Sequence, residues 1–315
     1  MDDVVSAMLR TLVADFPAVE RMAAVEARAA VAARRQPDPN PENVDEISDR
    51  EIYGPGGQIS VRIYRPHRPS GAAVVFYHGG GFVFCDLDSH DGFCRAMAAH
   101  TSAVVVSVGY RLAPEHPAPA AAEDALTTFL WVVEHAAELD VDPGRVAVAG
   151  DSAGGNLAAV TAIQCRGRGG PMPAAQVLLY PVIDPSFDTE SYRTRATGYF
   201  NTRAAMQWYW YQYLSGSALP EPPWLVAPAR AESHTGLPPA LVVTAELDPL
   251  HSEGAAYARR LRAAGVPVVH RDFPSLFHGF VTMMPFAPGA AARELLWTDL
   301  RELLTAAPLI AEQAR

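Results

Sequence analysis

In Arg145-Val146-Ala147-Val148-Ala149 a short apolar run leads straight into Gly150-Asp151-Ser152-Ala153-Gly154-Gly155. A serine is thereby placed between residues with almost no side chain, at the point where a strand would pass into a helix, which is the sequence form of a nucleophile elbow. The turn is strained and lifts the hydroxyl above the sheet edge. Gly150 and Gly154 leave room for the close backbone approach it needs. In a chain with 23 glycines the G-x-S-x-G pentapeptide alone is a moderate signal. Its surroundings strengthen it: upstream, Ala73-Val74-Val75-Phe76-Tyr77 ends in His78-Gly79-Gly80-Gly81-Phe82, a loop type whose N–H groups complete an oxyanion hole.

The 315 residues suffice for one large core with a cap, and 49% apolar with 19% charged residues is ordinary for a globular chain. No run approaches the ~20 apolar residues of a membrane span, so no integral membrane association is expected. A net charge of −10 argues against nucleic acid or anionic lipid as partner. Every basic side chain is arginine. The absence of lysine excludes a Walker A lysine, a pyridoxal Schiff base and an S-x-x-K nucleophile. Cys85, Cys94 and Cys165 form no C-x-x-C pair and no metal-ligand spacing, so reduced thiols are expected. Met1-Asp2-Asp3 opens without a basic or continuous apolar region, and the expectation is a cytoplasmic protein.

Within residues 3–34, Val5, Met8, Leu9, Leu12, Val13 and Phe16 recur at helical spacing. Gln36-Pro37-Asp38-Pro39-Asn40-Pro41 then reads as an extended linker. From residue 48, β-type runs alternate with helical segments, which predicts a mostly parallel sheet covered on both faces. Strands are expected near 48–53, 58–64, 72–77, 103–108, 145–149, 175–180, 240–246 and 267–273, the first two forming a hairpin. Helices fit 91–100, 118–138, 154–166, 252–264 and 289–306. The stretch 185–238 interrupts this rhythm and reads as an insertion. Its aromatic run, Met206 to Leu214, suits either a lid facing a bound ester or simple packing of a small subdomain. The division expected is an N-terminal helical cap segment (1–45), a core (46–184), a cap insertion (185–238) and the rest of the core (239–315).

A serine hydroxyl is a weak nucleophile, so it needs a neutral histidine to take its proton and a carboxylate to orient that histidine. On this topology the chain order is Ser, acid, His. Asp248 stands just past the run Ala240–Ala245 and His278 on the loop after 267–273, both at the sheet edge where open α/β sheets bind ligands. Glu246, Asp184 and Asp272 compete for the acid. Only Asp248 combines strand end, chain order and a following proline; Glu246 is expected to be structural. His78 rivals His278, but its place at the head of the glycine loop suits it to orienting that loop. His67, His100, His135 and His234 are expected to lack partners. Asp86, Asp88, His90 and Asp91 imitate a metal cluster without matching a ligand spacing, so neither metal nor other cofactor is expected. The oxyanion hole is assigned to the amides of Ala153, Gly80 and Gly81.

These motifs, with Tyr110 to Pro119, Asp248-Pro249-Leu250 and His278-Gly279-Phe280, resemble the hormone-sensitive-lipase-like carboxylesterases (bacterial type IV) of the α/β-hydrolase superfamily, in the G-D-S-A-G-G branch. The resemblance spans roughly residues 45–310. It implies an α/β-hydrolase fold with eight strands and a helical cap, and hydrolysis of short- to medium-chain acyl esters. It also implies that a homodimer through the region of strand eight is open to the chain. Tyr110 to Pro119 is expected to be structural, with Arg111 and Glu115 available for buried pairing. Cys85 stands where relatives often carry glycine, which bears on local loop shape only. The expected reaction is attack by Ser152 on an ester, with His278 as base and Asp248 holding its ring. An amidase or formamidase would use the same residues. A non-enzymatic receptor usually lacks a triad member, and an interfacial lipase needs a large apolar surface.

Overall fold

The computed structural model describes residues 3–305; residues 1, 2 and 306–315, which end the first and last expected segments and the last expected helix, lie outside the described residues. Eight strands form one sheet: β1 Glu46–Gly54, β2 Gly57–Arg65, β3 Ala73–Tyr77, β4 Val104–Gly109, β5 Val146–Asp151, β6 Gln176–Leu179, β7 Ala240–Leu247 and β8 Val268–Phe277. Their order is β1-β2-β4-β3-β5-β6-β7-β8. The β1/β2 and β2/β4 pairs are antiparallel, and the pairs from β4/β3 to β7/β8 are parallel. All eight expected strands are present, each displaced by a few residues at most.

Period-two alternation assigns the two faces. In β3, Ala73, Val75 and Tyr77 join one core, with α4 (Ala120–Glu134), α5 (Ala153–Arg168) and α8 (His251–Ala263). Val74 and Phe76 join the other, with α3 (Asp91–Thr101) and α9 (Ala287–Thr305). The central strands are buried on both faces, which is why they read as continuous apolar runs. Among the described residues no helix is long and apolar enough to cross a membrane.

The N-terminal helical pattern is broken into α1 (Asp3–Asp15), a 3-10 turn (Val19–Arg21) and α2 (Ala24–Ala32). Pro17 explains the break: it lacks an N–H and forces the preceding residue away from helical backbone. Val5 and Leu9 of α1 are buried against the α3/α9 face. The expected insertion holds α6 (Glu190–Thr194) and α7 (Arg203–Leu214), and α7 packs on the 3-10 turn at Val19–Arg21.

Candidate active site

β5 ends at Asp151, and Ser152 turns the chain into α5 with φ +56° and ψ −114°. This is strained backbone for a side-chain-bearing residue. It persists because the turn is pinned at both ends. Ser152 N–H donates to Leu179 O at 2.8 Å, and Ser152 O accepts from Asn156 and Val182 N–H, each at 3.1 Å. Asn156 Nδ2 ties the same turn to Val182 O and Val226 O at 3.0 and 2.7 Å.

Asp248 follows β7, and His278 follows β8. The structure brings them together with Ser152: His278 Nε2 lies 2.9 Å from Ser152 Oγ, and His278 Nδ1 lies 2.7 Å from Asp248 Oδ2. Asp248 is wholly buried, and its other oxygen accepts Leu250 N–H at 2.9 Å. A carboxylate accepts only, so Nδ1 carries the proton and Nε2 is left to accept the serine hydroxyl. The rival acids are engaged elsewhere. Glu246 accepts Ser275 N–H at 2.7 Å across a β7/β8 irregularity, the structural task expected of it. Asp184 pairs with Arg230, and Asp272 with Thr244 and His251.

Of the expected oxyanion donors, Gly80 and Gly81 line the same cavity as Ser152, and Ala153 follows it in the chain. Gly80 and Gly81 adopt φ +103° and +60°, backbone that favours glycine and turns the loop towards the elbow. Ala153 opens α5, so its N–H is one of the unpaired donors of a helix start. His78 is buried, its ring stacks on Tyr110 at 4.3 Å, and its Nδ1 donates to Gly79 O at 2.7 Å. Burial pushes its pKa down to about 4, so the ring is neutral near pH 7 and serves as a loop brace. Tyr110 Oη donates to His78 O at 2.7 Å, a structural role of the kind expected of the segment after β4, through a partner that no local motif announced. Sequence reasoning also passed over Asp151. The signal was present: a carboxylate beside the serine in a fully buried strand requires partners.

A cavity of about 370 Å³ opens over Ser152 and His278. Its walls include Leu12 of α1, Val19, Phe84, and Met206 and Tyr209 of α7. On the same buried face of α7, towards its C-terminal end, the rings are ordinary core, because Tyr213 stacks on Phe82 at 3.8 Å and Trp210 is buried beside it. The aromatic run thus contributes to the cavity wall with Tyr209 and to the core with Trp210 and Tyr213. Cys85, also in the wall, has φ +71°, which is the physical reason glycine suits this position.

Some expectations are corrected. His67, His100, His135 and His234 all have partners: Asp45, Glu42, Trp131 O and Pro228 O. His234 is moreover buried, edge-on to Tyr257, because the insertion folds back over α8. Of the buried pairing expected of Arg111 and Glu115, only Arg111 finds a buried partner. Arg111 binds buried Asp124 at 2.8 Å, and half-exposed Glu115 binds Arg28 of α2, tying the N-terminal segment to the core. The acidic run after Cys85 is spent on arginines: Asp86 on Arg35, Asp88 on Arg62 and Asp91 on Arg95.

The alpha/beta hydrolase fold family matches residues 74–282 of the chain, a stretch that contains Ser152, Asp248, His278 and the glycine loop after β3. The chain belongs to that family. It is 44% identical over 274 residues to carboxylic ester hydrolase LipN of Mycobacterium tuberculosis (strain ATCC 25618 / H37Rv), covering 85% of this chain and 73% of that protein. It is 40% identical to carboxylesterase NlhH of the same organism, covering 92% of each. Among solved structures, the ester-hydrolase EH1AB1 from the metagenome of Lake Arreo superposes with a TM-score of 0.90 at 35% identity, covering 96% of this chain and 98% of that one. The resemblance to esterases of this superfamily, drawn from the motifs, is thereby established.

Proposed function

We propose that the protein is a serine carboxylesterase acting on short- to medium-chain acyl esters. The observation that carries this reading is His278, which spans Ser152 at 2.9 Å and Asp248 at 2.7 Å. Ser152 Oγ attacks the ester carbonyl while His278 Nε2 takes its proton, and Asp248 stabilises the imidazolium that forms. The carbonyl oxygen becomes an oxyanion held by the amides of Ala153, Gly80 and Gly81. His278 passes its proton to the leaving alcohol, and water then releases the acid by the same route in reverse. Relatives named as ester hydrolases support the reaction class.

The reading includes a cap made of the N-terminal segment to residue 45 and the insertion 185–238. Leu12, Val19, Met206 and Tyr209 line the cavity from those segments, and they supply an apolar wall for an acyl group. A homodimer through the free side of β8, an edge strand, belongs to the same reading, and sedimentation analysis tests it. The central experiment is a rate series on p-nitrophenyl esters of increasing acyl length, with fluorophosphonate labelling. Hydrolysis strongest for short acyl groups, labelling at Ser152, and loss of both in Ser152→Ala are expected. Full ester turnover by Ser152→Ala would overturn the assignment.

A further inference from the structure

The loop that offers Gly80 and Gly81 is gripped from outside its own turn. Gly79 N–H donates to Asp151 Oδ1 at 2.7 Å. The fit is close, since a Cβ on Gly79 would lie 2.5 Å from the other carboxylate oxygen. Asp151 Oδ1 also faces Nε2 of His90 at 3.1 Å. Asp151 is 5% exposed and His90 8%, so this polar contact, in the wall of the cavity that holds Ser152, lies almost out of water.

Hydrogen-bond counting sets the protonation of the pair. His90 Nδ1 lies 3.0 Å from Ser89 Oγ. The single Ser89 hydroxyl proton is donated to Asp86 O at 2.6 Å, and Ser89 Oγ itself accepts Asp86 N–H at 2.9 Å. Only a lone pair remains for His90. Both ring nitrogens thus meet acceptors, and the ring carries two N–H groups opposite an ionised carboxylate. Burial pushes the Asp151 carboxyl up, yet the charge and hydrogen bond of His90, joined by His278 and His78, together hold it below its usual range.

A bare carboxylate next to the nucleophile would oppose negative charge developing on the substrate oxygen. An imidazolium partner cancels that field and leaves Asp151 free to hold the Gly79 amide. We propose that His90, acting through Asp151, is a positioning residue for the Gly80 and Gly81 amides, and that the pair presents no net charge to the oxyanion. This rests on the reading of Ser152 as nucleophile.

The test compares wild type with His90→Leu, which removes both ring donors, and His90→Gln, which keeps a donor towards Asp151. Active sites are counted by fluorophosphonate. Then kcat and KM on p-nitrophenyl butyrate and Ki for an alkyl trifluoromethyl ketone are measured per labelled site. In the ketone adduct Ser152 Oγ bonds the carbonyl carbon, its proton passes to His278, and the former carbonyl oxygen becomes an oxyanion in the hole. His90→Leu is expected to lower kcat ~10- to 100-fold and weaken the ketone by a similar factor, with KM within about threefold. His90→Gln should recover part of both. A kcat per labelled site within about twofold of wild type would overturn the proposal, as would a lower kcat with unchanged ketone Ki. If His90→Leu does not fold, His90→Ala, which also removes both ring donors, is read by the same criteria, with His90→Gln again as the partial rescue. Wild-type protein that takes up no fluorophosphonate would instead remove the nucleophile reading, before any variant is compared.

Discussion

Gly154 lies so tightly against Tyr77 that a Cβ added at Gly154 would sit 1.8 Å from the Tyr77 carbonyl oxygen. The neighbour is main chain at the end of β3, so no rotamer change relieves the clash. Gly154→Ala must therefore either push α5 off the sheet or distort the elbow that holds Ser152. A loss of ~2–4 kcal/mol of unfolding free energy is expected, with ester hydrolysis falling alongside. Urea unfolding checks it, and a wild-type midpoint would show that the contact is slack.

That relationship also marks what could be read from sequence. The close approach was legible because only glycine permits it, and the strands because β3 to β7 are buried on both faces and spell out apolar runs. Asp248 and His278 were legible as strand-end residues in the required chain order. Asp151, His90 and Tyr110 were not, since their importance lies in contacts across 72, 61 and 32 residues of chain. No local period encodes such a contact. The partners of Arg111 were missed for the same reason. Asp124 is a turn deep in α4, and nothing within Tyr110 to Pro119 points to it.

Asp248 accepts from His278 Nδ1 at 2.7 Å and is itself fixed by Leu250 N–H at 2.9 Å. Asp248→Asn preserves shape, but its amide favours the wrong tautomer of the ring, with the proton on Nε2 where the serine hydroxyl must donate. A fall in kcat of ~10³- to 10⁴-fold with KM changed by only about threefold is expected. Steady-state kinetics on p-nitrophenyl butyrate decide it. A decrease of less than about tenfold would move the acid role away from Asp248.

Met206 is 2% exposed and forms part of the cavity wall. Met206→Ala deepens the pocket at a point where the neighbouring Tyr209 is held by packing against Phe84 at 5.5 Å. The ratio of kcat/KM for octanoyl over butyryl p-nitrophenyl esters is expected to rise ~10-fold, the worth of one or two methylenes in an apolar pocket. A stability loss of ~2–4 kcal/mol accompanies it. An unchanged ratio would place the acyl chain in another part of the cavity.

His78 couples the oxyanion loop to pH through stability. In the folded protein its pKa is depressed to about 4, chiefly by burial and secondly by His90, against the partial opposition of the Gly79 carbonyl and of Asp151 and Asp86. Unfolded, the ring titrates near ~6.5, so between those values the unfolded chain binds the extra proton. Stability is then undiminished above about pH 6.5 and falls as pH drops towards 4, by about 2 kcal/mol between pH 7 and pH 5 from this one residue. His234 and His270 are also depressed by burial and act with the same sign, so the wild-type slope alone does not isolate His78. Asp151 and Asp86, whose pKa values are lowered, act below this window, as carboxylates lose their contribution only when they protonate. The decisive quantity is therefore a difference: urea unfolding at pH 7 and pH 5 for wild type and for His78→Asn. The variant is expected to be less stable at pH 7, because it loses the stack on Tyr110, yet to lose about 2 kcal/mol less than wild type on acidification. Equal losses in the two proteins would mean that the ring is protonated in the folded state, and the neutral loop brace would have to be abandoned.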